Sequence, residues 1–501
     1  MRFKIDKSYY LLALIILVAC VLRFYKLDSL PIFADESIYV RWAQIIKNEP
    51  TLRFIPLSDG KPPLYMWVVW QVLTLFKDPL VAGRFVSGMF GLVTIVGIYF
   101  TSIIIFNNKK SALLASLIYA LSPLSLFFDR MALVDAMLAA FGIWTFYFAY
   151  LSLKLQRYDL AMLAGFVLGA AFLTKPPALF FALLLPTLLL MVSKVNLNKI
   201  ARNVKYLLPT YLIAFVIYNV LRLGPNFYLL MRRNYDYVYP YSHLLTSPFS
   251  PLISHSTAIF NYIWIWGPGI LFILLILGKI SAFKKKSKEL FIIALWALIP
   301  IFAVAEFSKT ITVRYILFTY PFAAIIMGLS VYNLKNKLFK NISLIAVTIF
   351  VGYALFIDYK LISKVEAAPM PRSERSGYLE EWTAGTGIQE IANTIRDFAF
   401  ANPKTQVIVG AEGSFGTPFS ALELYLNGIP NIVVIGIGVG LTDVPQSLVD
   451  AKAAGNKVYM VINSTRLNAK IENLDVQLLA TYPKATNPNG TIEYLYFFEV
   501  Q

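Results

Sequence analysis

The sequence predicts an α-helical polytopic membrane protein with about eleven transmembrane helices, followed by a small C-terminal α/β domain outside the cytoplasm. Three observations support this fold class. Of the 501 residues, 58% are hydrophobic and only 15% are charged, whereas a soluble protein carries about 25% charged residues. Apolar runs long enough to cross a bilayer recur along the first 360 residues. After that point the apolar runs shorten to the length of β-strands.

The candidate membrane spans are mostly apolar runs that approach the length of about 20 residues needed by a transmembrane helix. In chain order they cover residues 9–27, 84–106, 111–128, 131–150, 159–174, 177–193, 206–222, 258–278, 290–306, 313–331 and 341–359.

The distribution of positive charge orients these spans. Lys and Arg outnumber Asp and Glu by 45 to 28, which gives a formal net charge of +17. The excess lies in short clusters at alternate loops, namely the N-terminus, 109–110, 154–157, 194–205, 279–288 and 335–340. Because cytoplasmic loops are enriched in Lys and Arg, we expect a multi-pass protein of the cell membrane with a cytoplasmic N-terminus. The same pattern makes membrane lipid a partner and argues against nucleic acid.

This topology divides the chain into a transmembrane domain, residues 1–360, and an extracytoplasmic domain, residues 361–501. Two loops of the first domain, 28–83 and 223–257, are also expected outside the cytoplasm. Within the first loop, residues 62–76 are apolar but too short to span a bilayer comfortably. A double proline and two tryptophans in this run favour a helix that lies in the membrane interface.

The C-terminal domain is predicted to contain a sheet with parallel strands. Strand-length apolar runs occur at 406–410, 431–439 and 457–463, and helical stretches near 385–401, 417–427 and 445–454 alternate with them. Such alternation is typical of parallel α/β structure. Residues 476–482 and 492–500 are candidates for closing strands. From residue 361 onward there are ten Lys and Arg against fourteen Asp and Glu, so this domain is net acidic.

Charged side chains near the bilayer are energetically costly and commonly mark functional sites. One set lies at or near the predicted outer ends of the spans: Asp35, Glu36, Arg41, Lys61, Arg84, Asp129, Arg130, Asp135, Lys175 and Arg314. These residues come from separate parts of the chain, yet all are expected at the same level of the membrane. This predicts one shared pocket at the outer membrane surface.

Several sequence segments, taken together and in order, resemble a known family. They are FADESIYV with KPPLYMW, then RFVSGMFGLVTI, SPLSLFFDRMALVDAML and FLTKPPALF. The chain thereby resembles the polytopic, lipid-dependent glycosyltransferases called GT-C. Within that class it resembles glycosyltransferase family 39, which includes protein O-mannosyltransferases, and the aminoarabinose transferase that modifies lipid A. Weaker similarity is found in RYILFTYPF (314–322), and RSGYLEEWTAGTG (375–387) is similar to bacterial members whose acceptor is unassigned.

The resemblance implies that a sugar passes from a polyprenyl-phosphate donor to a protein, lipid or glycan acceptor outside the cytoplasm. Asp35 matches the acidic residue of the family's first outer loop, where a carboxylate can accept the proton of an acceptor hydroxyl. Glu36 is the second candidate for this role. The structural alternative is that both acids only stabilise the N-terminus of the helix that contains residues 38–46.

A leaving lipid phosphate requires positive charge, and the candidates are Lys61, Arg84, Arg130 and Arg314. Lys61 precedes a double proline that fixes its loop, which favours a role in a site. For Arg84 and Arg314, the alternative is a cation that anchors a helix end at the lipid headgroups.

Asp135 and Lys175 complete the predicted substrate-binding set. Asp135 lies inside an otherwise apolar predicted helix, where an unpaired carboxylate would be strongly unfavourable. Arg130 or Lys175 is therefore its expected partner, and Asp135 either binds acceptor or sugar or only holds that cation in place.

No cofactor is firmly expected, although a divalent cation bound by carboxylates of Asp35, Glu36 and Asp135 stays open. The glycine-rich segments 410–416 and 436–440 are better explained as turns between strands and helices than as nucleotide sites.

Two other classes of function compete with glycosyl transfer. A secondary transporter would show two related halves and ionisable residues at mid-membrane, and no such repeat is visible. A membrane anchor for an extracytoplasmic binding domain has no use for a carboxylate inside an apolar helix. Glycosyl transfer is therefore the leading interpretation.

Overall fold

The computed structural model describes residues 6–192, 197–332, 334 and 336–501, and the protein is mostly helical. The chain forms two compact units. The first consists of Met1–Leu27, Thr51–Val68 and Arg84–Pro369, and the second of Asp28–Pro50, Val69–Gly83 and Met370–Gln501. The second unit thus combines the C-terminal region with two pieces of the first predicted outer loop. The boundary predicted after residue 360 rests on composition and stays a prediction.

Helices dominate up to residue 370. They are α1 (Lys7–Phe24), α2 (Ala34–Asn48), α3 (Leu64–Val72), α4 (Pro79–Phe106), α5 (Lys109–Leu121), α6 (Pro123–Asp129), α7 (Asp135–Leu155), α8 (Tyr158–Phe172), α9 (Ala178–Leu184), α10 (Leu188–Val192), α11 (Leu197–Val204), α12 (Leu208–Asn219), α13 (Leu229–Tyr237), α14 (His243–Thr246), α15 (Leu252–Trp266), α16 (Ile270–Phe307), α17 (Tyr320–Gly328) and α18 (Lys337–Ser363). A 3-10 helix, Val313–Thr319, precedes α17.

Seven helical segments of the described chain are long and apolar enough to cross a membrane, and two bent helix pairs bring the number to nine. The bent pairs are Lys109–Leu121 with Pro123–Asp129 and Leu252–Trp266 with Ile270–Phe283. The predicted multi-span architecture is therefore confirmed. A total of eleven would require the shorter helices Tyr158–Phe172 and Ala178–Val192 to cross as well, so that number stays a prediction.

Aromatic side chains and close backbone contacts hold the first unit together. Trp296 is fully buried, and its ring lies 4.9 Å from that of Phe146 and 5.3 Å from that of Phe322. Gly278 of α16 approaches α17 so closely that a Cβ atom there would lie 1.9 Å from the carbonyl oxygen of Ile326. Small residues at such crossings let membrane helices pack backbone to backbone.

One predicted helix boundary is wrong. The apolar run 131–150 predicts a helix that starts before Asp135, but α7 begins at Asp135 and residues 131–134 form a turn. Asp135 is consequently at a helix N-terminus, where a negative charge is stabilised by the helix dipole, and not in the interior of the helix.

The second unit contains the predicted α/β domain. Its C-terminal elements are α19 (Arg372–Arg375), a π-helix (Ser376–Glu380), α20 (Ile388–Ala401), β1 (Val407–Ala411), α21 (Phe419–Tyr425), β2 (Ile432–Gly436), α22 (Gln446–Ala453), β3 (Lys457–Asn463), β4 (Val476–Pro483) and β5 (Tyr494–Val500). The strand order is β2-β1-β3-β5-β4. The strands β2, β1 and β3 are parallel, and β5 pairs antiparallel with both β3 and β4. The predicted parallel strands and the two closing strands are all present.

The core of this unit lies between the sheet and its helices. Leu448 of α22 packs with Val458, Met460 and Ile462 of β3 and with Phe498 of β5, and all five side chains are fully buried. Because side chains alternate between the two faces of a strand, the three β3 residues face the same side of the sheet.

Candidate active site

Asp35 and Glu36 lie in the first turn of α2, in the second unit. The Glu36 side chain is fully buried, and its Oε2 accepts a hydrogen bond of 3.0 Å from the backbone N–H of Phe33. This contact satisfies a donor that the start of the helix would otherwise leave exposed. Asp35 is half-buried. The two acids therefore differ in surroundings: Glu36 is engaged in capping α2, and Asp35 is the more accessible carboxylate.

The segment 376–385 fixes the start of α2. The Ala34 N–H donates to the carbonyl oxygen of Thr383 at 3.1 Å, and the Gly385 N–H donates to the carbonyl oxygen of Ile32 at 2.8 Å. The ring of Phe33 lies 4.2 Å from that of Tyr378. Contacts on both sides of residue 33 thus set the position from which the Asp35 side chain projects.

This segment is itself held by a buried carboxylate. Glu380 is fully buried at the end of the π-helix and forms ion pairs with Arg372 and with Arg375, the latter at 2.7 Å. π-helical turns are rare in proteins, and those that do occur are often found at functional sites. The motif RSGYLEEWTAGTG, singled out in the sequence, therefore supports the helix that carries Asp35.

A buried polar network adjoins the same segment at the carboxyl ends of β1 and β3. Glu412 accepts hydrogen bonds from the backbone and side-chain nitrogens of Asn463, at 2.6 and 3.0 Å. Lys484 donates to the Asn463 Oδ1 at 2.6 Å and to the Glu381 carbonyl oxygen at 2.8 Å. Burial lowers the pKa of Lys484 to about 8 and raises the pKa of Glu412.

The glycine-rich segments 410–416 and 436–440 are turns in this region. The Gly413 N–H donates to the carbonyl oxygen of Gly438 at 2.7 Å, so the turns that follow β1 and β2 bond to each other. This agrees with the structural interpretation of both motifs.

In the first unit, Lys61 lies beside a small polar cleft. Its Nζ is 3.2 Å from Asp59, which also pairs with Arg233 at 2.9 Å. Gly60 has a φ of +63°, and a Cβ atom there would lie 2.6 Å from the Arg233 Cβ, so glycine is required between the two charged residues. The cleft has a volume of about 320 Å³ and is lined by residues of the 58–60 turn and by Arg232, Arg233 and Asp236.

The two Lys-Pro-Pro segments of the chain are neighbours. The Leu64 N–H, which follows Lys61-Pro62-Pro63, donates to the carbonyl oxygen of Leu173 at 3.0 Å, just before Lys175-Pro176-Pro177. The proline rings restrict the backbone of both segments. A pair of lysines is thus presented by two stiff turns of the first unit.

Lys175 contacts both Asp135 and Tyr315, the residue that follows Arg314. Its Nζ lies 2.6 Å from the Asp135 Oδ1, so the predicted pairing of Asp135 with one of two cations is confirmed for Lys175. The same Nζ lies 5.2 Å from the ring centre of Tyr315, and the Arg314 guanidinium lies 5.8 Å from that ring. Asp135, Lys175, Tyr315 and Arg314 therefore form one cluster, which we call the cation cluster.

Arg84 and Arg130 bind the end of α1. The Arg130 guanidinium donates to the carbonyl oxygens of Leu22, Tyr25 and Lys26 at 2.7 to 2.8 Å, and Arg84 donates to that of Leu27 at 2.6 Å. Both side chains are buried, so Arg84 does not act as an exposed anchor at lipid headgroups. These contacts satisfy carbonyl groups in the last turn of α1 and in the segment 25–27 that follows it.

A second group of buried charges contains Asp129, one of the charges expected at the outer ends of the spans, and two residues that sequence reasoning missed, Arg23 and Asp358. Arg23 and Asp129 are fully buried and form an ion pair of 2.9 Å. Asp358 of α18 is also fully buried, and Arg23 and Arg130 are the cations that act on it. Neither of its carboxylate oxygens has a hydrogen-bond partner within the described residues. The available signal was a charged residue within each of two apolar runs, Arg23 in 9–27 and Asp358 in 341–359.

The structure thus joins some of the predicted site residues. Asp135, Lys175 and Arg314 meet in the cation cluster, and Arg84 and Arg130 meet at the end of α1. Asp35 and Glu36 belong to the second unit, so one pocket shared by all of them stays a prediction. The described residues include no group of three His, Cys, Asp or Glu side chains that could hold a metal ion.

Comparison with known proteins identifies the class of fold. A family model described as "Dolichyl-phosphate-mannose-protein mannosyltransferase" matches residues 60–221. The matched region includes both Lys-Pro-Pro segments. It begins after Asp35, which therefore lies outside it. A sequence search among curated proteins finds no match.

Solved structures match over nearly the whole chain. ArnT from Cupriavidus metallidurans, bound to undecaprenyl phosphate, is 16% identical over 97% of each chain, with a TM-score of 0.59. The oligosaccharyltransferase AglB from Archaeoglobus fulgidus, in complex with an inhibitory peptide and a dolichol-phosphate, is 12% identical, with a TM-score of 0.51. That match covers 99% of this chain and 74% of AglB. The resemblance to GT-C glycosyltransferases is therefore confirmed for the fold.

Proposed function

We propose that this protein is a membrane glycosyltransferase. It takes a sugar, hexosyl or pentosyl, from a polyprenyl-phosphate carrier and passes it to an acceptor on the extracytoplasmic side of the membrane. The observation that supports this most directly is the cation cluster. Two of its members, Asp135 and Lys175, lie in the region matched by the mannosyltransferase family model, and two solved structures of similar fold hold polyprenyl phosphates.

In the proposed reaction, an acceptor hydroxyl attacks the anomeric carbon of the donor sugar. The bond between that carbon and the phosphate oxygen breaks, and polyprenyl phosphate leaves. Asp35 accepts the hydroxyl proton, as its partial exposure at the start of α2 permits. The leaving phosphate gains a second negative charge during this step, so cations that bind it stabilise the products and the transition state more than the donor.

Lys61, Lys175 and Arg314 are the proposed cations for the phosphate. Lys61 and Lys175 are 25% and 21% exposed, and the ammonium group of each can donate up to three hydrogen bonds. The aspartates keep each ammonium in place before the donor arrives. Asp135 is thus proposed to position Lys175, and a direct contact with acceptor or sugar is a second role for it.

The experiment measures transfer of radiolabelled sugar from polyprenyl phosphate by the purified protein at several donor concentrations. Lys61→Ala and Arg314→Ala are each expected to raise the KM for the donor about 10- to 100-fold, because a charge-assisted hydrogen bond contributes about 1.5–3 kcal/mol. Lys360→Ala is the matched control, since Lys360 is a cation near the end of α18 whose contact is with Phe356.

The assay also separates the competing functions. A secondary transporter would move its substrate without forming a glycosylated product, and a membrane anchor would do neither. Absence of transfer with every polyprenyl-phosphate sugar offered would contradict the proposal. Unchanged donor KM in both variants, with wild-type transfer, would remove Lys61 and Arg314 from the phosphate site.

A further inference from the structure

The second unit contains a cleft with a volume of about 600 Å³. It is bounded by the C-terminal half of α2, the segment 73–79, α20, and the end of α21 with the turn that follows it. All of these elements belong to the same compact unit. The volume falls within the range of about 300–1,000 Å³ that is typical of small-molecule sites.

Side-chain amides dominate the polar lining of this cleft. They are Gln44, Asn48, Gln389, Asn393 and Asn427. An amide group both donates and accepts hydrogen bonds, as does a sugar hydroxyl, so a row of amides matches a chain of hydroxyl groups. Lys and Arg lack this property because they only donate.

Hydrogen bonds hold four of these amides in position, and Gln44 also accepts a long one, 3.5 Å, from Arg41. Gln44 donates to the Leu424 carbonyl oxygen at 3.1 Å, and Gln389 donates to Asp78 at 3.3 Å. Asn427 accepts from Arg41 at 2.9 Å.
Asn393 accepts a hydrogen bond from Arg396 at 3.0 Å. Each amide has capacity for additional hydrogen bonds, and fixing its orientation beforehand reduces the entropy lost on binding.

The charge and the aromatic residues of the cleft narrow the class of ligand. Lys47, Lys77 and Arg396 line it, against a single acid, Asp78, so an anionic ligand is favoured. Phe400 also lines it and is 64% exposed, which leaves an aromatic face available for the C–H face of a sugar ring. A peptide partner would instead require the apolar pockets for side chains that typify peptide recognition.

We propose that this cleft binds an anionic oligosaccharide, a sugar chain that carries carboxylate groups. The amides bind the hydroxyl groups, Phe400 stacks on a ring, and Lys47 and Lys77 pair with the carboxylates.

The position of the cleft indicates the role of the bound saccharide in the reaction. Gln44 and Asp35 lie on the same helix, nine residues apart, which is about 14 Å at 1.5 Å per residue. A saccharide of a few units held in the cleft can therefore extend toward Asp35. The cleft is the acceptor site on this view, and that part of the inference rests on the proposed function.

Binding is tested first, with the full-length protein in detergent and isothermal titration calorimetry. The probes are tetragalacturonate, its neutral counterpart maltotetraose, and inorganic phosphate. Tetragalacturonate is expected to bind most tightly. The double variant Lys47→Ala/Lys77→Ala and the single variant Phe400→Ala are each expected to weaken its binding at least about tenfold, the effect of losing about 1.4 kcal/mol. Lys404→Ala, an exposed cation of the same unit outside the cleft, is expected to bind as wild type.

Three results would overturn the inference. The first is equal binding of tetragalacturonate by wild type and both cleft variants. The second is a preference for phosphate alone or for the neutral tetrasaccharide. The third is binding to nanodiscs of anionic phospholipid, but not to zwitterionic ones, that the cleft variants weaken, together with no binding of the saccharide. That result would make the cleft a surface for lipid headgroups.

The acceptor role has a separate readout. Asp35→Asn is expected to bind tetragalacturonate as wild type, because the cleft is unaltered, while it loses transfer. Binding with no transfer by wild-type protein would contradict the proposed function and leave the site intact. Transfer to a saccharide acceptor with a KM that the cleft variants do not change would contradict the acceptor site and leave the proposed function intact.

Discussion

Asp35 and Glu36 are adjacent in the first turn of α2, and replacing each carboxylate by the corresponding amide removes one negative charge at constant side-chain length. Glu36→Gln keeps an oxygen that can accept from the Phe33 N–H, so the capping contact changes from a charged to a neutral hydrogen bond. That change costs about 1 kcal/mol. Glu36→Ala removes the contact and leaves a partly buried N–H without this acceptor, at a cost of up to about 1–3 kcal/mol.

On the proposed mechanism, Asp35→Asn removes the general base and leaves the capping contact of Glu36 in place. Removal of a general base typically lowers the rate by a factor of about 100 to 10,000, which corresponds to about 3–5 kcal/mol in the activation barrier. We therefore expect Asp35→Asn to unfold at the wild-type temperature and to transfer almost no sugar. Glu36→Gln is expected to keep most of its activity, and Glu36→Ala to lose mainly stability.

The assay pairs sugar transfer at saturating donor with thermal unfolding in detergent for all three variants. An active Asp35→Asn protein together with an inactive but stably folded Glu36→Gln protein would exchange the two roles. Wild-type turnover in both amide variants would refute a carboxylate base on α2.

Three further predictions concern stability and topology. Burial lowers the pKa of Lys484 to about 8 from an ordinary 10.5, so above pH 8 the unfolded chain binds more protons than the folded one. Stability should therefore rise between pH 8 and 10.5, by up to about 3 kcal/mol, and Lys484→Met should abolish this rise in thermal unfolding. Gly278→Ala should reduce the yield and thermal stability of folded protein strongly, because its Cβ would collide with backbone. In a Cys20→Ala background, an impermeant thiol reagent should label intact cells at Asn489→Cys but not at Lys288→Cys, two exposed positions.

Each of these expectations has an outcome that contradicts it. The same pH dependence in wild type and Lys484→Met would show that another group causes it. A wild-type unfolding temperature for Gly278→Ala, against Gly352→Ala as a control where a Cβ meets nothing within 4 Å, would mean that the helices can separate at little cost. Labelling of the two cysteines in the reverse order would invert the topology.

The sequence predicts most of the elements, because their signals are local. The run 457–463 predicts β3 with its bounds, since apolar, β-branched runs of strand length are recognisable without tertiary information. The start of α7 could not be predicted in this way. Residues 131–134 are as apolar as those that follow, and Arg130, which precedes them, is fixed by carbonyl groups at the end of α1, more than a hundred residues earlier in the chain.

The same reasoning explains the composition of the second unit. The segments Asp28–Pro50 and Val69–Gly83 precede a long membrane domain in sequence, yet they join Met370–Gln501 in one compact unit. The backbone bonds of Ala34 to Thr383 and of Gly385 to Ile32 connect residues about 350 positions apart. Neither composition nor periodicity carries information on such pairings.

The basic residues of the first unit fall into two groups, buried and partly exposed, which cannot be distinguished from the sequence. Arg84 and Arg130 are buried and donate to carbonyl groups at the end of α1, so a phosphate could reach them only if those hydrogen bonds broke. Breaking them would remove hydrogen bonds from a charged donor, each worth about 1.5–3 kcal/mol. Lys61 and Lys175 are partly exposed and pair with aspartates instead, so their ammonium groups are accessible to a phosphate. We therefore expect the donor phosphate to be bound by the lysines, and Arg84 and Arg130 to contribute by fixing the end of α1.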